Sequence, residues 1–351
     1  MNLVFKLLGF AILGLSIFLG WFWQSYNHFI STPVNFSQTN TDFTIPSGSS
    51  LSSVAHSLES QSIISDASLF LWMIKFRDGE TSIQAGEYVI EPDMTPPEIA
   101  AIFISGKVKQ YPFTIVEGWS FKQLIVALGS DLRLKHSLKG KSSEEIMEII
   151  GHPGEHPEGR FLPDTYHFPA GTSDKLFLQR AYDAMAKVLQ KEWQNRKNGL
   201  PYKSPYEALT MASIVEKETG VAHERKQIAG VFVRRMEKKM RLQTDPTVIY
   251  GMGDSYKGNL RKKDLKKDTP YNTYRRKGLP PTPIALPGEA AINAALHPHE
   301  DKTLYFVAKG DGSHYFSETI EAHNKAVRKY QIRQRKKNYR SAPPTSVKSK
   351  D

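Results

Sequence analysis

From Leu3 to Trp23 the chain is almost uninterruptedly apolar, and Lys6 is the only charge in the run. A helix of that length spans the hydrocarbon layer of a bilayer, and in lipid only a helix satisfies its own backbone. Everything after Trp23 is then placed on one side of that membrane. Trp21 and Trp23 at the far end of the run suit the headgroup interface, and the amino terminus with Lys6 favours a cytoplasmic N-terminal tip. A cleaved signal peptide is the other reading. No small-residue cleavage site follows the run, and Trp23 and Tyr26 occupy the place where one would lie. We therefore expect residues 1–26 to be an uncleaved single-pass anchor in the inner membrane, with the remainder of the chain outside it. Residues 27–41 are largely polar and read as a spacer.

The chain has 351 residues, which allows more than one domain, and it has no cysteine. That excludes a disulfide framework, a thiolate metal site and a cysteine nucleophile. Part of the formal charge of +11 lies near the end, in Arg328, Lys329, Arg333, Arg335, Lys336, Lys337 and Arg340. Residues 326–351 read as a basic disordered tail, either simply solvated or drawn to an anionic surface. No nucleic-acid-binding motif is present, and we expect no nucleic-acid partner.

Phe43-Thr44-Ile45 is followed by Gly48, Ser50, Leu51, Val54, Ala55 and Leu58. Seventy residues on, Phe113-Thr114-Ile115 is followed by Gly118, Ser120, Phe121, Leu124, Ile125 and Leu128. Each copy spells a short strand, a glycine turn, a serine cap and an amphipathic helix. After the first copy the pattern predicts a helix over 67–76 and a strand over 86–90. Thr95 and Glu98 form a capping box before a helix that includes 99–104. The β-α-α-β order within residues 42–110 resembles a LysM module, a small fold associated with glycans that contain N-acetylglucosamine.

A larger part follows, over residues 111–325, with long helical patterns at 174–196 and 223–239. Between them lies Ser204 to Ala222, which opens with a serine cap, Pro205 and a box-forming Glu207. Ala208, Met211, Ala212 and Val215 recur at helical spacing, and the next members of that stripe are Glu218, Thr219 and Ala222. Glu216 falls on the opposite side and is expected to face solvent. A carboxyl held against apolar neighbours keeps its proton to higher pH and can serve as a general acid. Glu218 has that placement. The residues leave open the plainer role of capping a backbone or pairing with an arginine.

The loop from Glu158 to Tyr166, with Arg160 and Asp164, has the composition of a segment lining a cleft. Gln243, Thr244, Asp245, Tyr271 and Asn272 offer the amide, hydroxyl and aromatic groups that hold sugar rings. Asp245 before Pro246 is equally the start of an ordinary turn. His297, His314 and His323 are too scattered for a metal motif, and we expect neither a metal nor any other cofactor.

The runs Ala212–Thr219, Arg241–Gly251 and Tyr271–Tyr274 resemble the YceG-like family. So do Glu158-Gly159 with Pro163-Asp164-Thr165, Gly278–Pro281 with Pro283-Ile284, and His297-Pro298 with Tyr305–Ala308. The likeness runs from the anchor to about Asn324. It implies a single-pass inner-membrane enzyme, with a LysM-like subdomain ahead of a mixed α+β catalytic domain that lies in the periplasm. Such an enzyme cuts nascent peptidoglycan strands within the chain, as an endolytic lytic transglycosylase, in the neighbourhood of glycan polymerases. It further implies that Glu218 is the single catalytic acid. Two other functions fit the residues: a two-carboxylate peptidoglycan hydrolase with Asp245 as base, and a membrane-anchored scaffold that binds peptidoglycan without cutting it.

Overall fold

The computed structural model describes residues 2–34, 39–78 and 83–333. The chain is mixed α+β and divides into two units, Met1–Pro112 with His167–Gly171, and Phe113–Tyr166 with Thr172–Asp351.

The first unit opens with α1 (Asn2–Ser31), whose side chains are exposed from Leu3 as far as Trp21. Its last turns behave differently. Phe29 is buried, as is Val34 just beyond the helix, and Tyr26 and Ile30 pack beside them. Where a polar spacer was expected from Asn27, the helix therefore runs on and enters the core of the unit. The reason is the apolar residues at 26, 29, 30 and 34, which share one helical face and its extension. Of the remaining spacer, residues 35–38 lie outside the described residues.

Next come β1 (Thr41–Ile45), α2 (Leu51–Ser60), α3 (Ala67–Asp78), β2 (Gly86–Ile90) and α4 (Pro96–Ser105). β1 and β2 pair antiparallel, Thr41 opposite Ile90 and Ile45 opposite Gly86. Ser50 caps α2 by accepting from the N–H of Ser53 at 3.1 Å. Glu98 accepts from the N–H and hydroxyl of Thr95 at 2.7 and 2.8 Å, as the capping box requires. The core is aromatic at its centre. Phe103 stacks on Phe43 at 5.7 Å and meets Tyr88 edge-on at 4.7 Å.

β3 (Tyr111–Thr114) leads into the second unit, which adds α5 (Phe121–Ser130), α6 (Ser143–Ile149), β4 (Thr165–Phe168) and α7 (Asp174–Gln194). Thr114 and Thr165 share a hydroxyl hydrogen bond of 2.9 Å where β3 meets β4. The repeated opening is visible here: Gly48 and Gly118 both take left-handed φ, +82° and +78°, where a side chain would be strained. Each is followed by a serine cap and a ten-residue helix. Then come α8 (Pro205–Glu218), α9 (Arg225–Glu237), α10 (Asp245–Met252), α11 (Lys262–Lys266), α12 (Glu289–Leu296), β5 (Tyr305–Ala308), β6 (His314–Ser317) and α13 (Ile320–Val327). β5 and β6 form an antiparallel hairpin.

α8 is the centre of this unit. Every residue from Ala208 to Val215 is buried, so the apolar stripe is one side of a helix enclosed all round by α7, α9, α10 and α12. Two of its polar groups serve the packing. Ser213 Oγ donates to Thr210 O and accepts from the N–H of Ile284. The expected disordered tail begins as helix: α13 covers 326–327 and a wider π-helical turn continues through Arg328–Arg333. Residues 334–351 lie outside the described residues.

Candidate active site

α8 starts where its cap residues place it. Ser204 Oγ accepts from the N–H of Glu207, while the Glu207 carboxylate reaches back to the N–H of Lys203 at 2.7 Å. The box thus closes one residue early. At the other end Glu218 is the last helical residue, and Thr219 caps it, its N–H on Val215 O. Glu218 therefore sits half-buried at the negative end of the helix dipole, which disfavours a carboxylate. Burial first, and then the charge of Asp245, push its pKa up to about 7, against the opposing pull of the Thr244 hydroxyl and Arg235. Thr244 Oγ1 donates to Glu218 Oε1 in a short hydrogen bond.

The loop that brings Thr244 to Glu218 is held from below. Arg235, buried on α9, donates to Leu304 O and Leu242 O, each at 2.7 Å. Gln243 has φ +55°, a left-handed conformation that is strained for a residue with a side chain. Its N–H bonds to Thr273 O, and the N–H of Thr244 bonds to Thr273 Oγ1 at 3.1 Å. Thr247 joins the set through Thr244 O and Thr273 Oγ1, both at 2.9 Å. This interlock fixes the strained turn against the end of α8.

Glu218 opens onto a cleft of about 930 Å³ within the second unit. Gln243, Asp245, Tyr250, Tyr274, Tyr305 and His323 line it together with Glu218. Asp245 is the first residue of α10 and makes no Asx-turn. Its carboxylate accepts from the Tyr274 hydroxyl at 2.6 Å. Aromatic rings, an amide and a carboxylate around one protonatable acid are the groups that grip a sugar and protonate its glycosidic oxygen.

Among the residues picked from the sequence, Glu218, Gln243 and Asp245 come together here, with Thr244 buried directly behind. Tyr271 and Asn272 do not reach the cleft. Tyr271 packs on Tyr250 at 5.1 Å and hydrogen-bonds Thr282. Asn272 is fully buried, its amide donating to the carbonyls of Asp264, Leu265 and Lys267 and its Oδ1 accepting from the N–H of Tyr274. Its amide is consumed in folding the 264–274 loop, which leaves nothing for a ligand. The expectation that 158–166 lines the cleft is also corrected. Arg160 stacks over Tyr206 at 4.6 Å and pairs with Glu155, and Asp164 accepts from the N–H of Thr165.

Glu216 likewise departs from its expected solvent-facing position. Its side chain is only 6% exposed, with Arg225 at 3.8 Å, and it accepts from the N–H of Gly288 at 3.1 Å. Burial and then the charge of Glu117 raise its pKa. The side of α8 that carries Glu216 is covered by Arg225 and Gly288, and it is Lys217 that is exposed.

Sequence reasoning passed over Glu158 as an acid. It is 3% exposed, and burial pushes its pKa up to about 7. It accepts from the N–H of Phe121 at 3.0 Å and from the hydroxyl of Tyr250 at 2.9 Å, so it aims a cleft tyrosine from behind. Its place in a polar loop carried no signal of burial. Arg235 was likewise hidden, as one basic residue in a basic helix. Two of the three histidines stand in the cleft wall, His314 paired with buried Glu224 at 2.8 Å and His323 stacked on Tyr305, while His297 lies outside it and bonds Asn195 O.

The model of the YceG-like family matches residues 43–329, which takes in α8, the 241–245 turn and the whole cleft lining up to Val327. A protein of Bacillus subtilis (strain 168) named endolytic murein transglycosylase is 34% identical over 313 residues, covering 84% of this chain and 86% of its own length. A protein of the same name from Streptococcus pneumoniae (serotype 2, strain D39) is 27% identical over 316 residues, 81% of this chain and 57% of that protein. A crystal structure of a yceG-like protein from Listeria monocytogenes matches with a TM-score of 0.50 at 32% identity, covering 83% of this chain and 100% of the other.

Proposed function

The chain belongs to the YceG-like family, and from that premise we propose that it is a peptidoglycan lytic transglycosylase that cuts nascent glycan strands internally, with Glu218 as its single acid and base. One observation carries the assignment of Glu218. It is the carboxyl at the end of a helix buried from Ala208 to Val215, and it opens onto the cleft with its pKa raised to about 7.

The protonated carboxyl donates to the oxygen linking MurNAc to GlcNAc. The C1–O bond breaks, the GlcNAc-ended strand leaves with that proton, and positive charge develops at C1 of MurNAc. Glu218, now a carboxylate, takes the proton from the C6 hydroxyl of the same MurNAc. That oxygen attacks C1 and closes a 1,6-anhydro ring. No water enters, and the acid is regenerated. Because the nucleophile is already part of the substrate, its effective concentration stands in for the second carboxylate that most glycosidases use to activate water. Thr244 orients the carboxyl in both halves of the cycle, and Gln243, Asp245 and Tyr274 hold the sugars.

In the same reading α1 is an uncleaved inner-membrane anchor, the rest of the chain is periplasmic, and the β-α-α-β part of the first unit is a LysM-like module. Strands emerging from glycan polymerases at the membrane are then the substrate within reach. A hydrolase is the second reading, favoured by one fact: Asp245 lines the same cleft as Glu218. Against it, the Asp245 carboxylate is already engaged by Tyr274.

The test is digestion of nascent and mature peptidoglycan by the full chain in detergent, with mass spectrometry of the products. The expected products are one water lighter than hydrolytic ones and vanish in Glu218→Gln. Reducing ends in place of anhydro ends move the assignment to the hydrolase. A folded wild type that releases nothing from either substrate leaves a binding scaffold.

A further inference from the structure

In the first unit α3 is apolar on both sides. Its inner side, Phe70, Met73 and Ile74, is buried in the core. Its outer side carries Trp72, 50% exposed, and Phe76, 72% exposed, with the two rings stacked at 5.0 Å. A helix of a water-soluble module is expected to turn polar side chains outward, and among the described side chains of α3, from Ala67 to Phe76, Lys75 is the one charged group. A patch of this kind marks a surface that meets something.

Its position says what. Trp72 meets Phe22 of α1 edge-on, with ring centroids 6.5 Å apart. From Leu3 to Phe22 a helix rises about 30 Å, the thickness of the hydrocarbon layer. If α1 crosses the bilayer, Phe22 stands at its outer boundary, and the contact carries Trp72 to the same depth. Trp21 and Trp23 of α1 are exposed at that level too. The last turns of α1 are locked into the unit's core through Phe29, so α3 is not free to lift away. Tryptophan and other aromatic side chains prefer this depth, and a lysine stem reaches from it to anionic headgroups.

We propose that α3 is a second membrane-contacting element, with Trp72 and Phe76 seated in the headgroup–acyl boundary of the bilayer that α1 crosses. The inference rests on the reading of α1 as an anchor. It makes the first unit a foot that stands on the membrane surface, fixed by one crossing helix and one interfacial helix.

The absence of native cysteine allows a direct test. Phe76→Cys, Lys75→Cys, Leu13→Cys and Lys139→Cys are each spin-labelled in the full chain. The labelled proteins are placed in nanodiscs of phosphatidylethanolamine and phosphatidylglycerol, and collision rates with oxygen and with a water-soluble nickel chelate are measured. The oxygen-to-nickel ratio at Phe76 is expected several-fold above that at Lys139 and below that at Leu13, with Lys75 between Phe76 and Lys139. Aqueous ratios at both 75 and 76, with Leu13 immersed, overturn the proposal and leave the anchor standing; this is also what a patch reserved for a protein partner gives. An aqueous ratio at Leu13 overturns the anchor and this proposal together.

Discussion

Glu218 is held between opposing influences. Burial, the helix terminus and Asp245 favour its protonated form, while the Thr244 hydroxyl and Arg235 favour the carboxylate. An acid that must start protonated loses activity as pH rises through its pKa. Strand cleavage is therefore expected to fall off above about pH 7. Thr244→Val removes a donor to the charged form, so its fall-off moves to higher pH. A pH–rate profile unchanged by that substitution counts against the contact. The same shift bears on stability. A carboxyl whose pKa rises on folding stabilises the fold fully below its unfolded value, and that contribution is lost as pH climbs to the folded value. Glu218→Gln is thus expected to unfold like wild type at pH 4 but to be more stable at pH 8, by about 1–2 kcal/mol once partial exposure is discounted. Denaturant melts at the two pH values measure this.

At the level of elements, the candidate site is an end of α8 met by a strained turn. The turn is held by Arg235 from one side and the Thr273 loop from the other. Asn272 organises that loop through three carbonyls. Asn272→Ala takes the donor from the carbonyls of Asp264, Leu265 and Lys267 and the acceptor from the N–H of Tyr274, and is expected to cost about 2–3 kcal/mol, with the loss spread through the 241–245 turn. The expected signature is a lower melting temperature and a lower kcat with the pH midpoint in place. A raised KM alone, at unchanged stability, returns Asn272 to the sugar. Helix ends and caps were legible beforehand because their signals are local: Ser50, Ser120 and Ser204 each cap the helix they precede. The facing of Glu216, Glu158 and Asn272 was not, because each is buried by a segment distant in sequence: Arg225 and Gly288, Phe121 and Tyr250, and the carbonyls of 264–267.

At the scale of the whole molecule, two hydrophobic clusters among the described residues share no member, one around Phe43, Tyr88 and Phe103 and one around α8. Phe103→Ala opens a cavity among stacked rings and is expected to destabilise the first unit by about 3–5 kcal/mol. Hydrogen exchange should quicken in β1, β2 and α2 and stay slow in α8. Acceleration in both units would show a single cooperative fold. The sequence alone determined the membrane-length apolar run, the repeated strand–turn–helix opening, the family likeness and the apolar stripe that leads along α8 to Glu218. All four rest on periodicity or on contiguous motifs, which a linear chain displays. Only the tertiary structure decided that every residue of α8 from Ala208 to Val215 is buried, that Thr244 holds Glu218 while Asn272 turns away from the cleft, and that Trp72 meets Phe22. Those facts depend on which distant segments close over a side chain, and burial of that kind leaves no period in the sequence.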